Sequence, residues 1–211
     1  MAKLIDLTHP LEHGQATFPW DPKLSIIAHN TVQSIGYNIT QVSISTHQGT
    51  HLDVPFHFYN DGRTIDQVPL ERFYGHARLI RIPKQPTDEI TVEDFLPFEN
   101  LFIPGARIIY ETGHHKQFGT ETFFKGMPSM TVEAAHWIAS KRIGLLGMDT
   151  ATPGKDYEII HKALLAPGVE TIVVEALANL DECPEEFTFV CFPLLLAGRD
   201  GSPIRAAAIV E

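Results

Sequence analysis

The sequence predicts a mixed α/β protein built as one domain. Short segments rich in aliphatic and β-branched residues recur along the chain, and two segments among them have helical spacing with capping residues. A chain of 211 residues is long enough to bury a core, and no internal repeat, low-complexity segment or linker divides it. We therefore expect residues 1–211 to form a single mixed α/β domain.

The predicted strands are short and end at turn-forming residues. Residues 3–7 form the first strand, and a proline-rich loop over residues 8–22 follows it. That stiff loop could wall a pocket, or it could simply cover the N-terminal side of the core. The other predicted strands span residues 24–28, 37–45, 77–82, 107–110, 143–148, 171–177, 187–196 and 204–210.

The clearest predicted helix spans residues 132–141. Thr131 stands at its start and can cap the free backbone N–H groups of the first turn. A second helix is predicted over residues 157–165, and Gly168 follows it as a stop signal. Shorter helical segments are predicted over residues 65–74, with an interruption near Pro69, and over residues 92–96.

Composition excludes several classes of partner. The net charge is −10 and no basic stripe is present, so we expect no nucleic-acid binding. No apolar run approaches the length of a membrane span, and the N-terminal residues do not form an apolar signal stretch. Cys183 and Cys191 form no CxxC pattern, which is typical of a protein in the reducing cytosol.

Eleven histidines are present, and three of them lie close together in residues 47–58, which read HQGTHLDVPFHF. The ligand-type side chains of this stretch are His47, His51, Asp53 and His57. They are separated by even numbers of residues, which would place them on one face of an extended chain. A regular strand separates His47 from His51 by about 13 Å, so a shared ion requires a bend, which Gly49 permits.

Imidazole and carboxylate ligands that converge in this way suit a divalent transition metal. A hydrogen-bonded polar cluster is the alternative. Glu175 is a further candidate ligand, because burying an acid within the apolar segment 171–177 is costly without a partner; otherwise it faces solvent at a strand end. His161, on the second predicted helix, could be a ligand or could lie on the polar face.

Other histidines fit structural roles better. We expect His136 to be a packed or surface residue of the first predicted helix. His114 and His115 follow a predicted strand and could reach the site, but a solvated loop is the expectation. Phe56 and Phe58 are expected to pack in the core rather than to contact a substrate.

Residues 47–58 resemble the signature of the cyclase-like metal-dependent hydrolase family, which includes bacterial kynurenine formamidases (arylformamidases) and isatin hydrolases. The similarity extends along most of the chain, to residues 6–8 with the loop that follows, to residues 161–165 and 174–180, and to residues 198–206. The resemblance implies the swivelling β/β/α fold of that family, and a homodimer or higher homo-oligomer.

The resemblance also implies a site with two divalent metal ions, Zn²⁺ as in the formamidases or Mn²⁺ as in the isatin-hydrolysing relatives. The implied metal ligands are His47, His51, Asp53, His161 and Glu175. Asp53 and Glu175 would join the two ions, and His57 would be the catalytic acid and base.

The implied reaction is hydrolysis of an amide C–N bond by a hydroxide that the metal makes available at neutral pH. N-formylkynurenine or a similar aryl formamide is the expected substrate. A cyclic amide such as isatin, a polyketide-type cyclisation and metal binding without catalysis are the alternatives. Related formamidases carry Trp-Pro-Gly-Asp in the N-terminal loop, where this chain has Phe18-Pro19-Trp20-Asp21. Phe18 and Trp20 are therefore the predicted substrate-binding residues.

Overall fold

The computed structural model describes residues 2–211 and contains thirteen strands and five α-helices within them. The strands are β1 (Lys3–Asp6), β2 (Ser25–Asn30), β3 (Ile39–Ser43), β4 (His51–Asp53), β5 (Tyr74–Arg81), β6 (Glu89–Ile90), β7 (Arg107–Glu111), β8 (Ser129–Met130), β9 (Leu145–Met148), β10 (Ile172–Glu175), β11 (Glu186–Val190), β12 (Gly201–Pro203) and β13 (Ala207–Val210). The α-helices are α1 (Val32–Ile35), α2 (Val92–Phe95), α3 (Glu121–Lys125), α4 (Val132–Lys141) and α5 (Tyr157–Leu165).

A nine-stranded mixed sheet organises the fold. Its strand order is β1-β13-β11-β5-β7-β9-β10-β4-β12. The four central strands β5, β7, β9 and β10 run parallel, and antiparallel strands flank them on both sides. Two small sheets complete the architecture, β2 with β3 and β6 with β8.

Both faces of the large sheet are buried, as expected for central parallel strands. On β10, Val173 packs against residues of α4 and α5, while Ile172 and Val174 belong to the core on the opposite face. The same alternation holds on β7, where Ile108 faces the helices and Ile109 faces away. The helices α4 and α5 therefore cover one face of the sheet, and α5 lies over the strands that carry the candidate site.

The predicted fold class, mixed α/β, agrees with this architecture. Helices α4 and α5 have the bounds that the sequence predicts, and Thr131 Oγ1 accepts a hydrogen bond from the Ala134 backbone N–H at 3.2 Å. A periodic apolar face is a strong local signal for both helices, and α4 also has a side-chain cap. None of the helices formed by residues 2–211 is both long and apolar enough to cross a bilayer.

Two segments differ from the predicted elements. Residues 65–74 form two 3-10 turns on either side of Pro69, so the predicted interruption is present but neither part is an α-helix. Proline cannot continue a helical hydrogen-bond ladder. The predicted strand over residues 187–196 ends at Val190, before Pro193. Proline lacks the N–H group that a central strand needs. Of the predicted final strand over residues 204–210, only residues 207–210 form a strand, β13, and the unpredicted strand β12 precedes it.

Candidate functional site

Two neighbouring antiparallel strands, β4 and β10, form the floor of the candidate site. His51 lies opposite Glu175, and Asp53 lies opposite Val173. Opposed residues of antiparallel strands project to the same face, as do residues two apart on one strand. His51, Asp53 and Glu175 therefore lie on the face that α5 covers, and Leu52 points into the opposite core.

The helix α5 brings His161 to these strand residues. His161 Nδ1 lies 2.7 Å from the Tyr157 carbonyl oxygen, so its Nδ1–H donates along the helix and Nε2 faces the carboxylates. His51 is held in the same way, with Nδ1 2.8 Å from the Gly49 carbonyl oxygen. Hydrogen bonds of this kind fix the ring orientation of metal-binding histidines. Gly49 has a φ of +63°, which supplies the predicted bend.

Each of the two carboxylates presents one oxygen to His51 and the other to His161. His51 Nε2 lies 3.5 Å from Asp53 Oδ1 and 3.3 Å from Glu175 Oε2. His161 Nε2 lies 3.3 Å from Asp53 Oδ2 and 3.1 Å from Glu175 Oε1. His47 Nδ1 is 2.8 Å from Asp53 Oδ1, on the same side as His51. The donor atoms thus outline two adjacent positions that share both carboxylates.

The electrostatics of the cluster favour positive charge. Burial by itself would lower the pKa values of His47 and His161, but the neighbouring carboxylates outweigh it and raise both to about 10. The pKa of Asp53 is held well below its usual range in spite of its burial, chiefly by His47 and His161. The pKa of Glu175 is lowered as well, through His161 and His51, against the effects of burial and of Asp53.

These residues fit divalent cations. Asp53 and Glu175 are only 1% and 4% exposed, and two buried carboxylates that share a site need compensating positive charge. Asp53 Oδ2 is buried without a hydrogen-bond partner among residues 2–211, although His161 Nε2 lies 3.3 Å away. Imidazole nitrogens with carboxylate oxygens form the donor set that Zn²⁺ and related transition metals take.

His57 occupies a different place from the other histidines. It ends the 3-10 helix Pro55–His57 and stacks on His47 with ring centroids 3.9 Å apart. Burial lowers its pKa to about 4, although the charge of Asp53 acts in the opposite direction. His57 is therefore a neutral imidazole at neutral pH and can accept a proton.

The structure adds Asp200, which sequence reasoning did not select as a site residue. Asp200 Oδ2 lies 2.6 Å from His47 Nε2 and 3.7 Å from His57 Nδ1. The hydroxyl of Thr46 also donates to it, at 3.1 Å. The ring of His47 can lie this close to residues 200–201 because residue 201 is glycine: a Cβ there would clash with His47 Cε1 at 2.9 Å. The only signal in the sequence was the similarity of residues 198–206 to the family.

The predicted aromatic residues lie at a pocket beside this cluster. Phe18 and Trp20 both line it, and the ring of Phe18 meets that of Tyr157 edge-on with centroids 5.4 Å apart. Trp20 is 87% exposed, which places it at the rim rather than in the wall. The predicted aromatic positions therefore border the site, with Phe18 deeper than Trp20.

Four phenylalanines complete the wall, and the sequence analysis did not assign them to it. They are Phe58, Phe118, Phe123 and Phe124. Phe58 packs against the core on the helix side, as expected, and its ring also stacks on His161 at the pocket surface, with centroids 4.9 Å apart. The other three belong to the chain between β7 and β8, a region without a sequence signal for the site.

The expectation of a solvated loop at His114 and His115 is wrong. Both side chains are buried in the 3-10 helix His114–Gln117. His115 Nδ1 lies 3.3 Å from Asp149 Oδ2, and Nε2 lies 3.3 Å from Asp181 Oδ1. Lys116 Nζ is 3.0 Å from Asp181 Oδ2, so ion pairs already balance this second cluster. His136 is exposed on α4, within the range that was expected for it.

Comparison with known proteins identifies the family. The family described as "Putative cyclase" matches residues 5–155, which is more than half of the chain. A kynurenine formamidase from Bacillus cereus is 30% identical over 210 residues, covering 96% of this chain and 95% of the relative. One from Bacillus cytotoxicus is 30% identical over 207 residues with the same coverage. The chain belongs to the cyclase family.

Solved structures share the fold. An isatin hydrolase bound to the product analogue thioisatinate superimposes with a TM-score of 0.87 at 24% identity, covering 99% of this chain and 92% of that one. Isatin hydrolase A from Ralstonia solanacearum gives a TM-score of 0.86 at 22% identity, covering 100% and 92%. The predicted fold class and the predicted family of hydrolytic enzymes are confirmed.

Proposed function

We propose that this chain hydrolyses the C–N bond of an aryl amide at a centre of two divalent metal ions. The observation that carries the proposal is the sharing of Asp53 and Glu175 between His51 and His161, next to an aromatic pocket. The five proposed metal ligands are His47, His51, Asp53, His161 and Glu175. Zn²⁺ is the first ion to test and Mn²⁺ the alternative. Both accept imidazole and carboxylate ligands.

Metal ions bound there would polarise the substrate carbonyl and lower the pKa of a bound water. Hydrolysis adds the water oxygen to the carbonyl carbon and breaks the C–N bond, so a proton must reach the departing nitrogen. His57 can carry it, because its imidazole is neutral at neutral pH and borders the pocket. Asp200, 3.7 Å from His57 Nδ1, can orient the ring and stabilise its protonated form.

An aryl formamide such as N-formylkynurenine is the first substrate to test. Two relatives that align over nearly the whole chain at 30% identity are named kynurenine formamidases. The aromatic wall suits the aryl group of such a substrate, because aromatic rings attract each other beyond simple area burial. Phe18 stands where those relatives' family pattern has Trp, so the ring that meets the substrate is smaller.

A cyclic amide such as isatin is the second candidate, and the composition of the pocket favours it. Among the described residues, no Lys or Arg lines the pocket, whereas Asp21 does. N-formylkynurenine carries an α-ammonium group, with which Asp21 could pair, but also an α-carboxylate, which a basic side chain would normally bind. Isatin is uncharged and needs no such partner.

The test measures metal content and turnover on the same protein. Purified protein is analysed for bound metal, chelated, and reloaded with Zn²⁺ or Mn²⁺ in separate samples. Each sample is assayed with N-formylkynurenine, with N-formylaniline as an uncharged aryl formamide, and with isatin. We expect turnover to disappear on chelation and to return with the metal.

The pattern of activity then separates the candidates. Greater kcat/KM for either formamide than for isatin supports the formamidase assignment, and greater kcat/KM for isatin than for both formamides supports the cyclic amide. Comparison of the two formamides then shows whether the amino-acid part of N-formylkynurenine is recognised. Undiminished turnover after complete metal removal would overturn the proposal. Tight metal binding without turnover on any of the three amides would favour a non-catalytic metal-binding protein.

A further inference from the structure

Three arginines line one cleft at an edge of the large sheet. Arg72 lies just before β5, Arg107 is the first residue of β7, and Arg142 lies between α4 and β9. They are three of the eight arginines of the chain. The cleft, which we call the arginine cleft, has a volume of about 200 Å³. Its other lining residues bring no charged or polar side chain, and they are Gly105, Ile143, Gly144 and Val169.

The arginine cleft lies at the opposite end of the sheet from the cluster around Asp53 and Glu175. The neighbouring strands β5, β7, β9 and β10 run parallel, and the residues of the cleft stand at or before the first residue of each strand. Val169 precedes β10, whereas Glu175 is its last residue. The strand spans roughly 10 Å between its ends, so the arginine cleft is a separate site.

The arginines of the cleft lack the carboxylate partners that other arginines of this chain have. Ion pairs with Asp or Glu are formed by the arginines at positions 63, 78, 81 and 205. For Arg72, Arg107 and Arg142, no carboxylate oxygen of residues 2–211 lies within 4.0 Å of a guanidinium nitrogen. Acidic residues outnumber basic ones by 26 to 16 in this chain. Three unpaired arginines in one cavity are therefore not explained by a shortage of acids.

Backbone carbonyl groups hold two of these side chains in place. Arg72 Nη2 donates to the Gly144 carbonyl oxygen at 2.9 Å and to that of Glu170 at 2.8 Å. Arg107 Nη2 donates to the Glu71 carbonyl oxygen at 2.5 Å, while its Nε is buried without a partner in the described part of the chain. A carbonyl group has no net charge, so these hydrogen bonds orient the guanidinium groups and leave their charges uncompensated.

The charges in the cleft are close enough to affect each other. Burial lowers the pKa of Arg72, and the charges of Arg63 and Arg107 act in the same direction, against the opposing effect of Glu170. The carboxylate of Glu170 itself lies 3.6 Å from Arg63 Nε, in an ion pair outside the cleft. The cleft residues therefore repel one another, and an anion placed among them would remove that repulsion.

The backbone at Arg142 is also strained. This residue ends α4 with a φ of +53°, in the left-handed region where a side chain costs free energy and glycine is usual. Strained residues of this kind are concentrated at ligand-binding and active sites. An arginine at this position brings a third positive charge to the cleft, which glycine would not.

We propose that the arginine cleft binds a compact anion that carries a phosphate group. Guanidinium groups form paired hydrogen bonds with carboxylates and phosphates. A carboxylate has two oxygens in one plane and accepts one such pair. A phosphate group has three acceptor oxygens and a charge of about −1.5 to −2, so arginines that approach from three different elements can contact it together. The inference does not depend on the proposed hydrolysis.

The test is calorimetric titration of the metal-loaded protein with inorganic phosphate and, separately, with glycerol 3-phosphate, at constant ionic strength. The variant Arg142→Gln removes one charge at an exposed residue. Loss of a hydrogen bond to a charged group should raise the dissociation constant for phosphate by about 10-fold or more. The matched control is Arg199→Gln, which removes an exposed arginine that lies outside the cleft. We expect the control to bind phosphate like the wild type.

Urea unfolding of the wild-type protein provides a second measurement. A ligand of the folded state stabilises it, so phosphate should raise the urea midpoint more than malonate, a small dicarboxylate, does at the same ionic strength. This difference should be smaller in Arg142→Gln.

The outcomes separate the possible ligands. Tighter binding of glycerol 3-phosphate than of inorganic phosphate supports a phosphate ester as the ligand, and the reverse order supports free phosphate. No binding of either anion to the wild type would overturn the proposal. So would equal affinity for phosphate in Arg142→Gln and the wild type, which is the result expected if phosphate binds only to the proposed metal ions. Malonate that binds as tightly as phosphate would overturn the choice of a phosphate group.

Discussion

At the scale of single residues, the site depends on which atom of each side chain faces which neighbour. Asp53 and Glu175 suit the proposed bridging role because their two oxygens point to different histidines. In both His51 and His161 the Nδ1–H donates a hydrogen bond to a backbone carbonyl oxygen, so Nε2 is the nitrogen that faces the two carboxylates. The histidines of the motif therefore have different neighbours, and substitutions should separate their roles.

Replacing His57 should affect turnover without emptying the site. In His57→Ala we expect unchanged metal content and a loss of kcat of about 10²–10⁴-fold, the usual contribution of general acid–base catalysis. In His51→Ala we expect loss of metal, because its ring faces both carboxylates. Elemental analysis and steady-state kinetics on both variants make the comparison. A metal-free His57→Ala protein would show that His57 is a ligand instead.

Replacing Asp200 should weaken metal binding although it is not one of the proposed ligands. Its carboxylate holds His47 through Nε2 at 2.6 Å, and loss of such a supporting group typically costs 10–100-fold in metal affinity. We expect a decrease of about that size in Asp200→Asn, measured by competition with a chelating dye. Asp181→Asn, in the separate ion-pair cluster, is the control. Equal affinities in both variants would contradict the supporting role.

At the scale of secondary-structure elements, helices α4 and α5 could be predicted and the strand ends could not. A helix can be recognised from capping residues and from apolar residues that recur with a period of 3.6, and both are local properties of the sequence. The ends of strands depend on their neighbours in the sheet. Residues 191–196, for example, have the composition of a strand but lie beyond the end of β11.

The cap of α4 gives a direct test of this local control. Thr131 Oγ1 accepts the Ala134 N–H, whereas Thr120, at the start of α3, makes no such capping hydrogen bond. Thr131→Ala should lower the free energy of unfolding by about 0.5–2 kcal/mol. Thr120→Ala should have a smaller effect. Urea unfolding of the two variants provides the comparison, and a larger loss in Thr120→Ala would contradict this account of the cap.

At the scale of the whole molecule, the polar residues behind the pocket wall influence stability. His9 stacks on Phe118 with ring centroids 3.7 Å apart, and its Nε2 is buried without a partner among residues 2–211. Burial, with a contribution from His115, lowers the pKa of His9 to about 4. The pKa of a histidine in the unfolded chain is about 6.5.

These pKa values predict a pH-dependent stability. Between pH 6.5 and 4 the unfolded chain binds the proton and the folded chain does not, so His9 makes the protein less stable as the pH falls. In His9→Phe the stack is kept and the titrating group is removed. The loss of unfolding free energy between pH 7 and pH 5, measured with urea, should therefore be smaller in His9→Phe than in the wild type. Equal losses would contradict the assignment.

The sequence by itself determined the motif of residues 47–58, the family and the two long helices. The proposed ligands His161 and Glu175 were reached only through the resemblance to the family, because their own spacing left solvent-facing roles open. Only the tertiary structure decided that Asp200 contacts His47 and that four phenylalanines outside the N-terminal loop line the pocket. It also showed that the antiparallel strands β2 and β3 expose apolar side chains to solvent. The physical reason is separation along the chain. His47 and Asp200 are 153 residues apart and meet because β4 pairs with β12, a contact for which no local pattern of residues exists.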